Sequence, residues 1–156
     1  MLFRSGVVGA GSWGTAVAAI AAHNADVVLW ARRRELVESV NERHENADYL
    51  AGITLPDRVR ASTSLEEVCG HADVVVMGVP SHGFRAVLEE AADRIAVDVP
   101  VLSLSKGVEQ HTNMRMTEVI ADVLLTHRTD RIGVLSGPNL AREVRSEEHT
   151  SELQSH

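Results

Sequence analysis

Cysteine is almost missing: Cys69 is the single one in 156 residues. No disulfide can close within the chain, and a reducing compartment suits it. Cys69 stands at the end of an expected helix and reads as a small packing residue rather than a nucleophile. Long apolar runs are missing too. No stretch has the length or flanks of a membrane span or a signal peptide, and the first strand begins almost at once, so a cytoplasmic location is expected. A basic surplus is also absent. The net charge is −7, which removes the counterion-displacing excess that general nucleic-acid binding needs, although a local cationic pocket stays open. The eight histidines fall in no metal-ligand spacing, so no metal is expected. No Ser/His/Asp or paired-carboxylate arrangement stands out. What remains is a chain 44% hydrophobic and 24% charged, long enough for one domain and its core.

Against these absences one stretch organises the rest, Gly9-Ala10-Gly11-Ser12-Trp13-Gly14. It follows a short apolar run and opens an Ala-rich segment, the strand, Gly-x-Gly-x-x-Gly and helix order of a dinucleotide site. Gly9 lets the chain turn out of the strand, Gly11 lets backbone approach a pyrophosphate, and Gly14 lets helix and strand pack closely. The helix N-terminus offers unpaired N–H groups and a positive dipole end to phosphates. A ligand-free glycine turn is the plainer alternative.

Taken in order, the chain predicts a first strand over 4–8 and a helix over about 14–24, whose alanines let it lie close on a sheet. A continuous apolar strand over 26–30 fits a parallel sheet buried on both faces. A helix over 34–42 follows, and then an irregular loop over 44–58. A short strand at 59–61 precedes Ser64-Leu65-Glu66-Glu67, a capping box that starts a brief helix. The clearest buried strand is 73–79; Pro80 ends it, Ser81 can cap, and a helix over 83–93 follows. Further expectations are a strand at 101–104, a helix at 114–126, a strand at 131–135 and a last helical turn opened by Gly137-Pro138-Asn139. Strands alternating with helices make a doubly wound parallel α/β sheet, a Rossmann-type domain, the economical architecture.

Chemistry should gather at the carboxyl ends of these strands. Where an NAD enzyme carries an acid for the ribose hydroxyls, this chain has Arg32 and Arg33. An arginine fork suits a 2′-phosphate by charge and geometry, which points to NADP(H) over NAD(H). The plainer alternative is a solvated basic start to a helix with Glu35 and Glu38 as partners. Lys106, in Ser105-Lys106-Gly107, leaves a buried strand and should point its ammonium into the crevice, or else is a surface charge. Ser136-Gly137-Pro138-Asn139 leaves the next strand in the same way. Trp13 either shields the cofactor or packs against the 44–55 loop.

These segments together resemble the bacterial NAD(P)H-dependent glycerol-3-phosphate dehydrogenase family. The carriers are Gly9–Gly14 with Trp13, Val28 to Arg33, Asn46-Ala47-Asp48-Tyr49-Leu50, Val79-Pro80-Ser81, Ser105 to Glu109 and Leu135 to Ala141. The resemblance implies cofactor contacts at Ser12, Trp13, Arg32, Arg33, Lys106 and Ala141, beside the glycines Gly9, Gly11 and Gly14. It implies substrate contacts at Lys106, Gly137 and Asn139, the last being Ser or Thr in many members. It further implies reduction of dihydroxyacetone phosphate to sn-glycerol 3-phosphate for phospholipid synthesis, in a homodimer when full-length. The family continues into an all-helical substrate domain that supplies the general acid/base lysine, and this chain is expected to stop short of it. Residues 1–144 are then the dinucleotide-binding domain. Residues 145–156 resemble an in-frame translated sequencing adapter and are expected to be non-native. Two rivals remain: another two-domain hydroxyacid or ketoacid dehydrogenase, and a non-catalytic dinucleotide-binding module.

Overall fold

The structure, a computed structural model, describes residues 2–136. Gly137, Asn139, Ala141, the expected last helical turn and the boundary at 144 lie outside the described residues. Six parallel strands form one sheet in the order β3-β2-β1-β4-β5-β6. They are β1 (Phe3–Val8), β2 (Ala25–Trp30), β3 (Val59–Ser62), β4 (Val74–Met77), β5 (Val101–Ser103) and β6 (Ile132–Val134). The helices are α1 (Ser12–Ala21), α2 (Arg34–Arg43), α3 (Leu65–Cys69), α4 (Ser81–Ala91) and α5 (Met116–Val123). The order reverses between β1 and β4, which pair from Ser5 with Val74 to Val8 with Met77. That reversal opens a crevice beyond their carboxyl ends.

The period-2 alternation of each strand separates two cores. Val7, Val27, Leu29, Val59 and Val76 face one way and pack with Ala18, Ala19, Leu36 and Val40 of α1 and α2. Val8, Trp30, Val75, Met77 and Val101 face the other way, against Val68, Phe84, Leu88, Val119 and Ile120 of α3, α4 and α5. Burial on both faces explains why the strands read as unbroken apolar runs. Among the described residues no helix is long and apolar enough to cross a membrane.

Several boundaries differ from expectation for local reasons. The first helix begins at Ser12 rather than 14, because Gly11 takes the extended N-cap backbone (φ −73°, ψ −174°). The last three residues of the glycine motif are therefore already its first turn. Ser81 does not cap. Pro80 holds the N-cap position with φ −57° and ψ 153°, and Ser81 is the first helical residue. Only half of the box at Ser64 forms: its Oγ accepts from Glu67 N–H at 3.3 Å, while its own N–H donates to Ser62 Oγ at 3.0 Å. The long strand expected over 73–79 shortens to β4 at both ends. Asp73 turns aside to accept from Arg4 N–H at 2.8 Å, and Gly78 and Val79 leave the sheet to line the crevice. The helix expected over 114–126 is shorter, since Glu118 accepts from Arg115 N–H at 3.1 Å and fixes its start. Cys69 ends α3 and is buried, and that burial pushes its thiol up to about 11.

Candidate functional site

Three glycine contacts build the floor of the crevice. Gly9 leaves β1 with φ 117°, a conformation that L side chains rarely adopt. A Cβ on Gly14 would lie 2.1 Å from the carbonyl oxygen of Gly9, so α1 can approach β1 only with hydrogen there. Gly78 N–H donates to Val8 O at 2.7 Å and closes the β4 side of the same junction. Gly11 differs, because a Cβ there would meet no atom of the chain within 4 Å. The space above it is open, and α1 begins beneath with no side chain capping its amides. Bare amides and a positive helix end facing open space form an anion cradle.

The crevice above this floor has a volume of about 570 Å³. The loops that follow β1, β2, β4 and β5 supply its walls, including Gly9 to Trp13, Trp30 to Arg33, Gly78 to Pro80, Leu104 and Ser105. At the β2 end, Trp30 is held by its indole N–H, which donates to Thr63 O at 3.0 Å. The Arg32 guanidinium lies 5.3 Å from the Trp30 ring centroid, a stacked cation. Among the described residues Arg32 has no carboxylate partner. Arg33 does have one, and it is Asp48 rather than Glu35 or Glu38. Asp48 holds the Arg33 guanidinium above its ordinary value, first by hydrogen bonding and then by charge.

Asn46, whose type and position suggest no task, ties the 44–58 loop to the motif. Its side chain is 1% exposed and its Nδ2 donates to Ala10 O at 2.9 Å and to Thr15 Oγ1 at 2.8 Å. Ser12 Oγ donates in turn to Tyr49 O at 2.8 Å. Trp13 lines the crevice and packs against the small buried cluster of Ala16 and Leu50, the second of which belongs to this loop. No local signal marks Asn46, since its partners lie more than thirty residues away.

Lys106 is exposed and follows Ser105, which lines the crevice, but Lys106 itself is not among the lining residues. Its loop is firmly held. Ser105 N–H donates to Ser103 Oγ at 3.1 Å. Arg85 on α4 grips Glu109 through two hydrogen bonds of 2.7 and 3.0 Å and reaches Asp122 on α5 at 2.7 Å. Arg85, with help from Thr112, holds the Glu109 carboxyl below its usual range. The substrate-side candidates Gly137 and Asn139, with Ala141, lie outside the described residues.

The site therefore joins an anion cradle, a hollow of about 570 Å³ and two arginines in its wall, one of them stacked on an indole. Those features fit a dinucleotide: amides for a pyrophosphate, cations for a further phosphate, and a hollow for the rings. Comparison with known proteins agrees in kind. The sequence matches, over residues 5–154, a family described as NAD-dependent glycerol-3-phosphate dehydrogenase N-terminus. It is 55% identical over 144 residues to the NAD(P)+ glycerol-3-phosphate dehydrogenase 2 of Sphingopyxis alaskensis, covering 92% of this chain and 42% of that protein. With the corresponding enzyme of Mycobacterium avium it shares 51% over 139 residues, 88% of this chain and 40% of that one. The chain thus spans about two fifths of the length of these relatives. The solved glycerol-3-phosphate dehydrogenase of Saccharomyces cerevisiae superposes with a TM-score of 0.82 at 30% identity, over 94% of this chain and 45% of its own. That of Coxiella burnetii shares the fold with a TM-score of 0.82 at 24% identity, over 99% of this chain and 50% of its own.

Proposed function

We propose a function that starts from one fact: the chain belongs to the NAD-dependent glycerol-3-phosphate dehydrogenase family, as part of its N-terminal region. It binds a nicotinamide dinucleotide in the crevice, NADP(H) in preference to NAD(H). The amides of the Gly9–Gly14 turn hold the pyrophosphate, with Ser12 and Trp13 against the cofactor. Arg32 and Arg33 take the 2′-phosphate, for which charged hydrogen bonds are worth about 1.5–3 kcal/mol each. Ala141 completes the cofactor contacts. When bound, the nicotinamide supplies the hydride that reduces a ketone. Lys106, Gly137 and Asn139 hold the substrate, and the Lys106 ammonium favours negative charge developing on the carbonyl oxygen.

The whole enzyme of which this is the N-terminal part reduces dihydroxyacetone phosphate to sn-glycerol 3-phosphate in the cytoplasm, feeding phospholipid synthesis. Its proton comes from a lysine in the all-helical substrate domain that the family resemblance implies. This chain alone binds cofactor and does not turn over. General acid–base help is typically worth 10²–10⁴-fold, and lost orientation deepens the deficit.

The observation that supports this best is the open cradle over Gly11 beside the two arginines that follow β2. Calorimetric titration of the chain with NADPH and NADH tests it. NADPH should bind more tightly, and Arg32→Ala should remove most of the difference. Equal affinities would refute the 2′-phosphate assignment. In an NADPH-oxidation assay with dihydroxyacetone phosphate the chain should show no rate above background. Turnover in the usual enzymatic range of about 1–10³ s⁻¹ would mean that the proton donor lies within residues 1–144, with Lys106 the first candidate.

A further inference from the structure

We infer that Asp48 sets the cofactor selectivity of this crevice by competing with the 2′-phosphate for Arg33. The inference rests on the reading of the β2 end as a 2′-phosphate site, and it adds a residue that opposes the phosphate.

Asp48 sits in a segment fastened at both ends. Two residues before it, the buried Asn46 amide is fastened to Ala10 O and Thr15 Oγ1. One residue after it, the Tyr49 carbonyl accepts from Ser12 Oγ at 2.8 Å. The segment is therefore anchored on both sides to the same glycine turn that forms the anion cradle. That anchored segment presents the Asp48 carboxylate to Arg33. Arg33 lines the crevice and Asp48 does not, so the carboxylate engages Arg33 from outside the cavity wall.

The charges then sort the two cations. Arg32 stacks on Trp30 and is free of carboxylates among the described residues. Arg33 is already neutralised. A 2′-phosphate, carrying close to two negative charges, must share or displace Asp48 and meets its repulsion. A 2′-hydroxyl is uncharged and meets neither obstacle. Asp48 thus weakens NADP(H) while leaving NAD(H) almost untouched, and it narrows the preference that the arginines create. Both partners are about half exposed, so the effect is modest and screened by salt.

The test is calorimetric titration of the full chain with NADPH and with NADH, for the wild type, Asp48→Asn, Asp48→Glu, Arg33→Ala and the Arg33→Ala, Asp48→Asn double variant. Asp48→Asn should tighten NADPH by about three- to tenfold and change NADH by less than about twofold, the gain shrinking at high salt. Asp48→Glu keeps the charge and should keep the wild-type ratio. In the Arg33→Ala background, Asp48→Asn should lose most of its effect, because the competition runs through Arg33. An unchanged ratio in Asp48→Asn, with NADPH weakened by Arg33→Ala, would overturn the role of Asp48 and leave the 2′-phosphate reading standing. Equal weakening of both cofactors in Asp48→Asn would make Asp48 a purely structural residue and overturn the inference. If Arg33→Ala also leaves the ratio unchanged, the 2′-phosphate reading falls, and the inference falls with it.

Discussion

Replacing Gly11 and Gly14 by alanine, one at a time, separates the two tasks carried by one glycine motif. At Gly11 the backbone already has φ −73° and ψ −174°, which any residue adopts, and a Cβ would touch nothing within 4 Å. Alanine stiffens the unfolded chain, worth about 0.4–1 kcal/mol in favour of folding. It is also a poorer N-cap than glycine by a comparable amount. The two effects nearly cancel, so Gly11→Ala should melt within a few degrees of the wild type. Its methyl group, however, stands in the cradle where a pyrophosphate approaches the α1 amides. Losing one or two charged amide–phosphate hydrogen bonds, at about 1.5–3 kcal/mol each, weakens binding by roughly one to four powers of ten. At Gly14 the order of effects reverses. The new Cβ would lie 2.1 Å from Gly9 O, and ordinary contact begins at 3.4 Å, so the junction must open by about 1.3 Å. Overpacking of this kind costs about 1–3 kcal/mol. For a chain of this size that lowers the melting temperature by roughly 2–12 °C. Thermal melts followed by far-ultraviolet circular dichroism measure the first quantity, and NADPH titration measures the second. Wild-type NADPH binding by Gly11→Ala, or destabilisation as large as that of Gly14→Ala, would refute this division of tasks.

Removing the Asn46 side chain should leave Ala10 O and Thr15 Oγ1 without their buried donor, costing about 1–3 kcal/mol in chemical denaturation and weakening NADPH as the loop loosens. The Glu109 carboxyl, held below its ordinary 4.5 first by Arg85, stabilises the fold fully above about pH 4.5. That contribution is lost as pH falls through its lower folded value, so Arg85→Gln should raise the midpoint of acid unfolding, and an unchanged midpoint would count against the clamp. The Cys69 thiol, buried and raised to about 11, should resist a thiol reagent at pH 8 until denaturant unfolds the chain. Rapid labelling of the native protein would place it at the surface.

Wherever the deciding forces are local, the sequence reading came close to the structure. Apolar runs that pack on both faces, such as Val27 to Trp30 and Val75 to Met77, announce buried parallel strands, and the glycine spacing announces the turn after β1. Errors arose where backbone geometry or distant partners decide. Gly11 caps α1 without a side chain, so nothing at positions 12 and 13 advertises the start of a helix. Ser81 looks like a cap, but Pro80 takes that position with its fixed φ, and the helix starts at 81 rather than 83. Arg33, the N-cap of α2, has two acids close by in that helix, Glu35 and Glu38, yet pairs with Asp48, which a loop anchored by Asn46 carries across to it. Such a pairing has no sequence period and shows only when the chain is folded. The dual placement of Trp13 is similar: a ring that borders a cavity also packs against whatever forms the cavity's back wall.

The fastening of residues 46–50 to the glycine turn also bears on how quickly a ligand can be taken up. A free loop beside a binding crevice must be immobilised at each encounter, and its lost rotations appear as weaker affinity and as a slow kinetic phase after first contact. Here Asn46 and Ser12 immobilise that loop when the chain folds, so the entropy of ordering is settled before any dinucleotide arrives. Association should then follow a single exponential, its rate rising in proportion to ligand concentration with no plateau, and the Asn46→Ala variant should recover the missing slow phase.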